Sequence, residues 1–145
     1  MMSKVMKRMG KEEKGFTLIE LLAVIVIMAI IAVIAVPLIG NVINRSKTDG
    51  DLATASQVYN AARLYVIGEK NGDFENNKTI QLADLTGTGY LNKDLNLPST
   101  KDKITSATVI FSSTGQLESV TIAPAGQGSN AAGLYTAAQV LSAKK

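Results

Sequence analysis

The sequence predicts an α+β protein: one long N-terminal α-helix, transmembrane and then amphipathic, packed on a small antiparallel β-sheet head. Three observations predict this. Residues 16–39 are apolar apart from Thr17 and Glu20. Leu38, Val42, Leu52, Tyr59 and Tyr65 then recur at roughly helical spacing, among alanines that favour helix. Near the C-terminus, "ITSATVIFSS" and "QLESVTIAP" alternate in hydrophobicity on either side of Thr114-Gly115, the pattern of a hairpin.

The chain begins with a basic leader. Lys4, Lys7, Arg8, Lys11 and Lys14 stand against Glu12 and Glu13, which places the whole net charge of +3 in residues 1–15. The remaining chain carries ten basic and ten acidic residues. A basic nucleic-acid-binding surface is therefore not indicated, and the local group of Lys93, Lys101 and Lys103 is interleaved with Asp94 and Asp102. The absence of Cys and His removes disulfides, thiolate nucleophiles, imidazole acid–base chemistry and most zinc sites.

The apolar run of 24 residues rises about 36 Å as a helix, enough to cross a hydrocarbon core about 30 Å thick. The leader before it is expected to stay cytoplasmic. A secretory signal peptide ending near Val33-Ile34-Ala35 is one alternative, but the run is longer than such apolar regions and holds an acid. A plain anchor with an incidental Glu20 is another. An acid near the middle of a membrane helix costs about 2.5–3.5 kcal/mol, so it ordinarily has a partner or a task. A cut between Gly15 and Phe16 would create that partner. It frees an α-amine on Phe16, one helical turn from Glu20. Between two subunits offset along an axis, the acid of one meets the amine of the next. Such a desolvated pair fixes register, because misalignment leaves a charge uncompensated.

Lys14-Gly15-Phe16-Thr17-Leu18-Ile19-Glu20 resembles the cleavage and N-methylation motif of type IV pilins and of the pseudopilins of type II secretion and competence systems. The resemblance runs through Pro37, where the family commonly has proline, and departs at Ala29, where many members have glycine. It implies that residues 1–15 are a leader removed by a prepilin peptidase, with Gly15 before the scissile bond. It implies that Phe16 becomes the methylated N-terminus and that Glu20 sets register during assembly. The implied partners are further copies of the chain, the peptidase/methyltransferase, a membrane assembly platform and, before assembly, the bilayer. No cofactor and no metal are expected.

Pro37 lacks an N–H and crowds the Val33 carbonyl, so a kink is expected there; an end at Val36 is the alternative. Continuation gives a membrane and assembly half over 16–39 and an amphipathic half over 40–67, with a possible bend at Thr48-Asp49-Gly50-Asp51 and a stop at Gly68 before Asn71-Gly72. The head is residues 68–145. Within it, a short helix over 80–85, capped by Thr79 and ended by Gly87 or Gly89, is expected from "TIQLADLTGTGYL". Its Gly89-Tyr90 pair resembles the loop of Gram-positive-type major pilins. "DLNLPSTKDK" reads as a loop and "APAGQGSNAAG" as a flexible or an irregular one. Thr136 and Gln139 form a capping-box pattern for a terminal helix whose end Lys144 and Lys145 would suit; a third strand near Leu134-Tyr135 is the alternative.

No constellation supports catalysis. Asp73 with Glu75, Asn76 and Asn77 offers oxygens to a calcium ion, though a solvated turn explains the spacing better. Gly87-Thr88-Gly89 lacks the Lys-Ser/Thr of a phosphate loop. The expected function is structural: a subunit of a type IV pilus-like filament, cleaved in the membrane and then displayed at the cell surface. A pseudopilin and a monomeric membrane-anchored binding protein are the alternatives.

Overall fold

The computed structural model describes residues 15–142 and additionally assigns the backbone of residues 2–14 to the first helix. Seven elements follow in order: α1 (Met2–Glu69), β1 (Thr79–Gln81), α2 (Leu82–Gly87), β2 (Ser106–Phe111), β3 (Leu117–Ala123), β4 (Leu134–Thr136) and α3 (Ala137–Leu141). Two compact units divide the chain, Met1–Ile43 and Asn44–Lys145.

In the first unit, every Phe, Leu, Ile, Val and Met from residue 16 to residue 43 is exposed, by 47% to 77%. The apolar surface goes all the way round the helix. A helix of that kind belongs in lipid or against other helices, and Gly15–Glu69 contains a stretch long and apolar enough to cross a membrane. Pro37 lies inside α1, and the helical assignment continues across it.

In the second unit, α1 is amphipathic. Asp51, Thr54, Ala55, Val58, Tyr59, Ala61, Ala62, Tyr65 and Val66 are buried at three- and four-residue intervals, the signature of a single helix face against a core. The helical assignment continues through Gly50. The glycine serves packing: a Cβ on it would lie 3.0 Å from the Pro98 side chain, so the 97–99 loop sits directly on the helix. The helix runs to Glu69, one residue past the expected stop. Its end is closed where the Lys70 and Gly72 N–H groups donate to the Val66 carbonyl at 3.1 and 2.9 Å. Asn71 and Gly72 adopt the positive φ that such a cap requires.

The sheet has the order β1-β2-β3-β4, antiparallel throughout. The hairpin is β2 and β3, with Val109 opposite Val120 and a register shift at Ile110/Phe111. Ala107, Val109 and Phe111 of β2 and Leu117, Val120 and Ile122 of β3 face the core. The Phe111 ring packs at a tilt against Tyr59 of α1 and edge-on against Phe74, at centroid distances of 6.0 and 5.1 Å. The sheet thereby closes on the amphipathic face of the helix.

Three local expectations change. Thr79 is not a helix cap; residues 79–81 form β1, paired with 108–110, and α2 begins after Gln81, whose N–H donates to Asp84 Oδ2 at 3.2 Å. Three residues are too few to show the alternation that betrays a strand. At the C-terminus both alternatives coexist: Leu134–Thr136 is a strand and Ala137–Leu141 a helix. The capping box is present, with the Gln139 N–H donating to Thr136 Oγ1 and the Thr136 N–H to Gln139 Oε1. Lys144 and Lys145 lie outside the described residues.

The core makes a quantitative demand. Leu85 of α2 is fully buried, and Leu85→Ala is expected to lower unfolding free energy by about 2–5 kcal/mol. The exposed control Gln57→Ala is expected to stay within about 0.5 kcal/mol. Denaturant titration of the full chain in detergent measures both.

Candidate functional site: the N-terminal segment and the carboxylates of the helix

Gly15, Phe16, Glu20 and Pro37 all fall on α1. A Cβ added at Gly15 would meet nothing within 4 Å. Among the described residues no packing therefore requires glycine at that position, although a helix-interior glycine costs about 1 kcal/mol relative to alanine. Phe16 follows, 68% exposed. Glu20 lies one turn further on, so that positions 16 and 20 share a helix face about 6 Å apart along the axis. Glu20 is the sole ionisable side chain between residues 15 and 44. It is exposed, and no ion pair to it exists among the described residues. The apolar surroundings and the isolated acid occupy one continuous stretch of helix.

A second carboxylate on α1 went unread in the sequence. Asp51 is completely buried. Its Oδ1 accepts the Ser99 N–H at 3.0 Å and its Oδ2 accepts the Gln127 N–H at 2.6 Å. One side chain thus ties the helix to two loops 48 and 76 residues away. Gly126 leaves the room: a Cβ there would stand 2.5 Å from the Tyr135 hydroxyl and 2.7 Å from Asp51 Oδ2. The Tyr135 hydroxyl donates to the Gln127 carbonyl at 3.2 Å. Burial and, secondarily, the Asp51 charge push that phenol's pKa up. The irregular 124–133 segment is therefore fastened rather than loose. The sequence signal was weak: an acid on the apolar face of an otherwise amphipathic helix, with Lys47 one turn before it to suggest an ordinary surface pair.

Asp73, weighed above as a calcium ligand, instead closes a turn. It accepts the Asn76 side-chain amide at 2.7 Å and the Asn76 N–H at 3.1 Å. These bonds, the side-chain one foremost, lower its pKa. Among the described residues no group of three acids, His or Cys is placed to hold a metal. Lys103 and Asp94 pair at 2.9 Å on the surface, which leaves that lysine group partly neutralised.

Two outcomes test these assignments. Asp51→Ala is expected to cost about 2–4 kcal/mol, since two part-buried hydrogen bonds lose their charged acceptor. Asp51→Asn is expected to cost about 1–3 kcal/mol, because one amide oxygen cannot serve both donors and the NH2 faces one of them. Thermal or denaturant unfolding of the full chain reads both. For Asp73 the folded pKa lies below the unfolded value of about 3.9. Its stabilising contribution is therefore present above that value and lost as pH falls through the depressed folded pKa. A carboxyl NMR titration should show the low midpoint in the native chain and its return upward in Asn76→Ala.

Residues 10–36 match the family model described as the prokaryotic N-terminal methylation motif. No curated protein and no solved structure matches the chain.

Proposed function

We propose that this chain, whose N-terminus carries the signal of a type IV prepilin, is a structural subunit of a type IV pilus-like filament that polymerises through its N-terminal helix. The observation that carries the reading is the coincidence, on one helix, of the methylation motif with an uncovered apolar surface and a lone acid. The motif and the long apolar helix support anchoring in a membrane before assembly. Removal of the basic leader detaches the helix from the cytoplasmic face, and further copies then replace lipid around it.

Gly15 precedes the scissile bond in this reading. A prepilin peptidase needs close access to the backbone there, which accounts for a glycine that no packing among the described residues requires. Phe16 becomes the N-terminus and is methylated. Glu20 pairs with the Phe16 α-amine of a neighbouring copy. Pro37 removes the N–H that would bond the Val33 carbonyl, so the helix loosens over 33–37 when copies pack, and Ala29 in place of glycine limits the loosening on the N-terminal side. The amphipathic half, with the head it supports, remains outside the membrane and forms the filament surface.

The surface form is expected to begin at methylated Phe16 and to contain the 130 residues 16–145, which N-terminal sequencing and intact mass determine; a start near Val36 would support a secretory signal peptide instead. Glu20→Ala makes the segment more apolar and leaves insertion and cleavage intact. It also leaves a neighbour's ammonium buried without a partner, a loss of about 3–5 kcal/mol per contact. With about 1.4 kcal/mol per tenfold change in an equilibrium, Glu20→Ala protein should accumulate cleaved in the membrane fraction and be missing from sheared filaments. Glu20→Gln should behave the same way. Normal fibre yield from Glu20→Ala alone would overturn the pairing.

A further inference from the structure

We propose that the groove between α2 and the first residues of β2 binds a neutral, polyhydroxylated ligand, an uncharged oligosaccharide. The groove has a volume of about 540 Å³, within the roughly 300–1,000 Å³ typical of small-molecule sites.

Its origin lies in a mismatch of strand lengths. β1 pairs only with residues 108–110, and the chain then turns into α2, so that Ser106 and Ala107 run beyond the end of β1. α2 contributes Leu82, Ala83 and Thr86 to one wall; Gln81, Thr105, Ser106 and Thr108 supply polar groups to the other side. No ionisable residue lines the groove. Asp84, the closest acid in sequence, is turned toward the Gln81 N–H.

The donor and acceptor inventory selects the ligand. Thr86 Oγ1 donates its proton to the Leu82 carbonyl and Thr105 Oγ1 to the Ala123 carbonyl, at 3.1 Å each. Those two oxygens retain only acceptor capacity toward a ligand. Ser106 and Thr108 bring hydroxyls, and Gln81 an amide, each with donor and acceptor functions. With no fixed charge to compensate, an ionic ligand gains no partner for its desolvation. A ligand whose own hydroxyls both donate and accept matches the set, and Leu82 and Ala83 offer apolar surface to its C–H faces.

Beyond the groove, neighbouring strand positions carry further hydroxyls. Thr108 stands opposite Thr121 and next to Gln81, and Ser119 opposite Thr136. Hydroxyl-bearing positions on adjacent strands are about 4.8 Å apart, so a chain of several sugars has further contacts beyond the groove. An added peptide strand fits less well. β2 extends past β1 by only two residues, and the Thr105 N–H is already given to the Ala123 carbonyl at 2.8 Å.

The test is a titration of the isotopically labelled full chain in detergent micelles, followed by amide NMR, with maltotriose, cellotriose and N-acetylchitotriose. At least one is expected to produce saturable shifts at Gln81, Ser106 and Thr108. Ser106→Ala should weaken that binding about tenfold through the lost hydrogen bonds. Ala83→Arg, which fills the groove from an exposed helix position, should abolish it while shifts remote from the groove stay unchanged. The proposal is overturned if none of the three sugars gives saturable shifts, if the shifts fall elsewhere, if they persist in both variants, or if a blocked Thr-Val pentapeptide binds the groove and the sugars do not.

Discussion

An apolar helix surface that its own chain leaves uncovered is the governing constraint. Around residues 16–43 there is no face turned to a core, and burial of apolar side chains is worth about 25 cal/mol per Å². Water is therefore excluded as a permanent environment for this segment. Lipid satisfies it, and so do neighbouring helices of the same kind. Because exchange between two apolar environments is nearly neutral, apolar burial alone does not decide between dispersed and assembled copies. In the proposed reading a single charge within the segment does. Glu20 would be poorly accommodated in lipid and well accommodated opposite a cation, and the isolated acid would then supply a directional preference that the surrounding Leu, Ile and Val cannot.

The same helix changes character in the second unit. There its buried face is defined by small and aromatic residues, Ala55, Ala62, Tyr59 and Tyr65 among them, against which the four-stranded sheet closes. Asp51 is the polar counterpart of that packing. A buried carboxylate carries a heavy desolvation cost unless its lone pairs are filled, and here two backbone N–H groups from separate loops fill them. The arrangement converts a liability of the helix into the fastening point of the 97–99 and 124–133 segments. Together with the Tyr135 hydroxyl and the Gln139 side chain, which donate to the Gln127 and Gly128 carbonyls, it holds a region rich in glycine and short of apolar side chains.

The parts of this architecture that were legible in the sequence are those written in local periodicity or local chemistry. The apolar run and the amphipathic half of α1 follow from spacing. The β2–β3 hairpin follows from alternation about Thr114-Gly115, and the Thr136–Gln139 cap from a four-residue pattern. Gly15, Phe16 and Glu20 were legible as a linear motif, which residues 10–36 match. What could not be read is long-range. β1 exists because residues 79–81 find an open edge on β2, not because Thr-Ile-Gln favours a strand, so its first residue passed for a helix cap. Gly50 looked like a weak point, and only the approach of Pro98 explains it. Asp51 looked like one acid among several until its partners, distant in sequence, were in place.

The central claim, that one acid in an apolar helix sets the register between copies, is tested most directly by a density map of filaments formed from this chain. The account predicts the Glu20 carboxylate within hydrogen-bonding distance, about 2.7–3.2 Å, of the methylated α-amine of Phe16 in a neighbouring copy. A filament in which Glu20 faces only apolar side chains, or reaches no N-terminus other than its own, would contradict it.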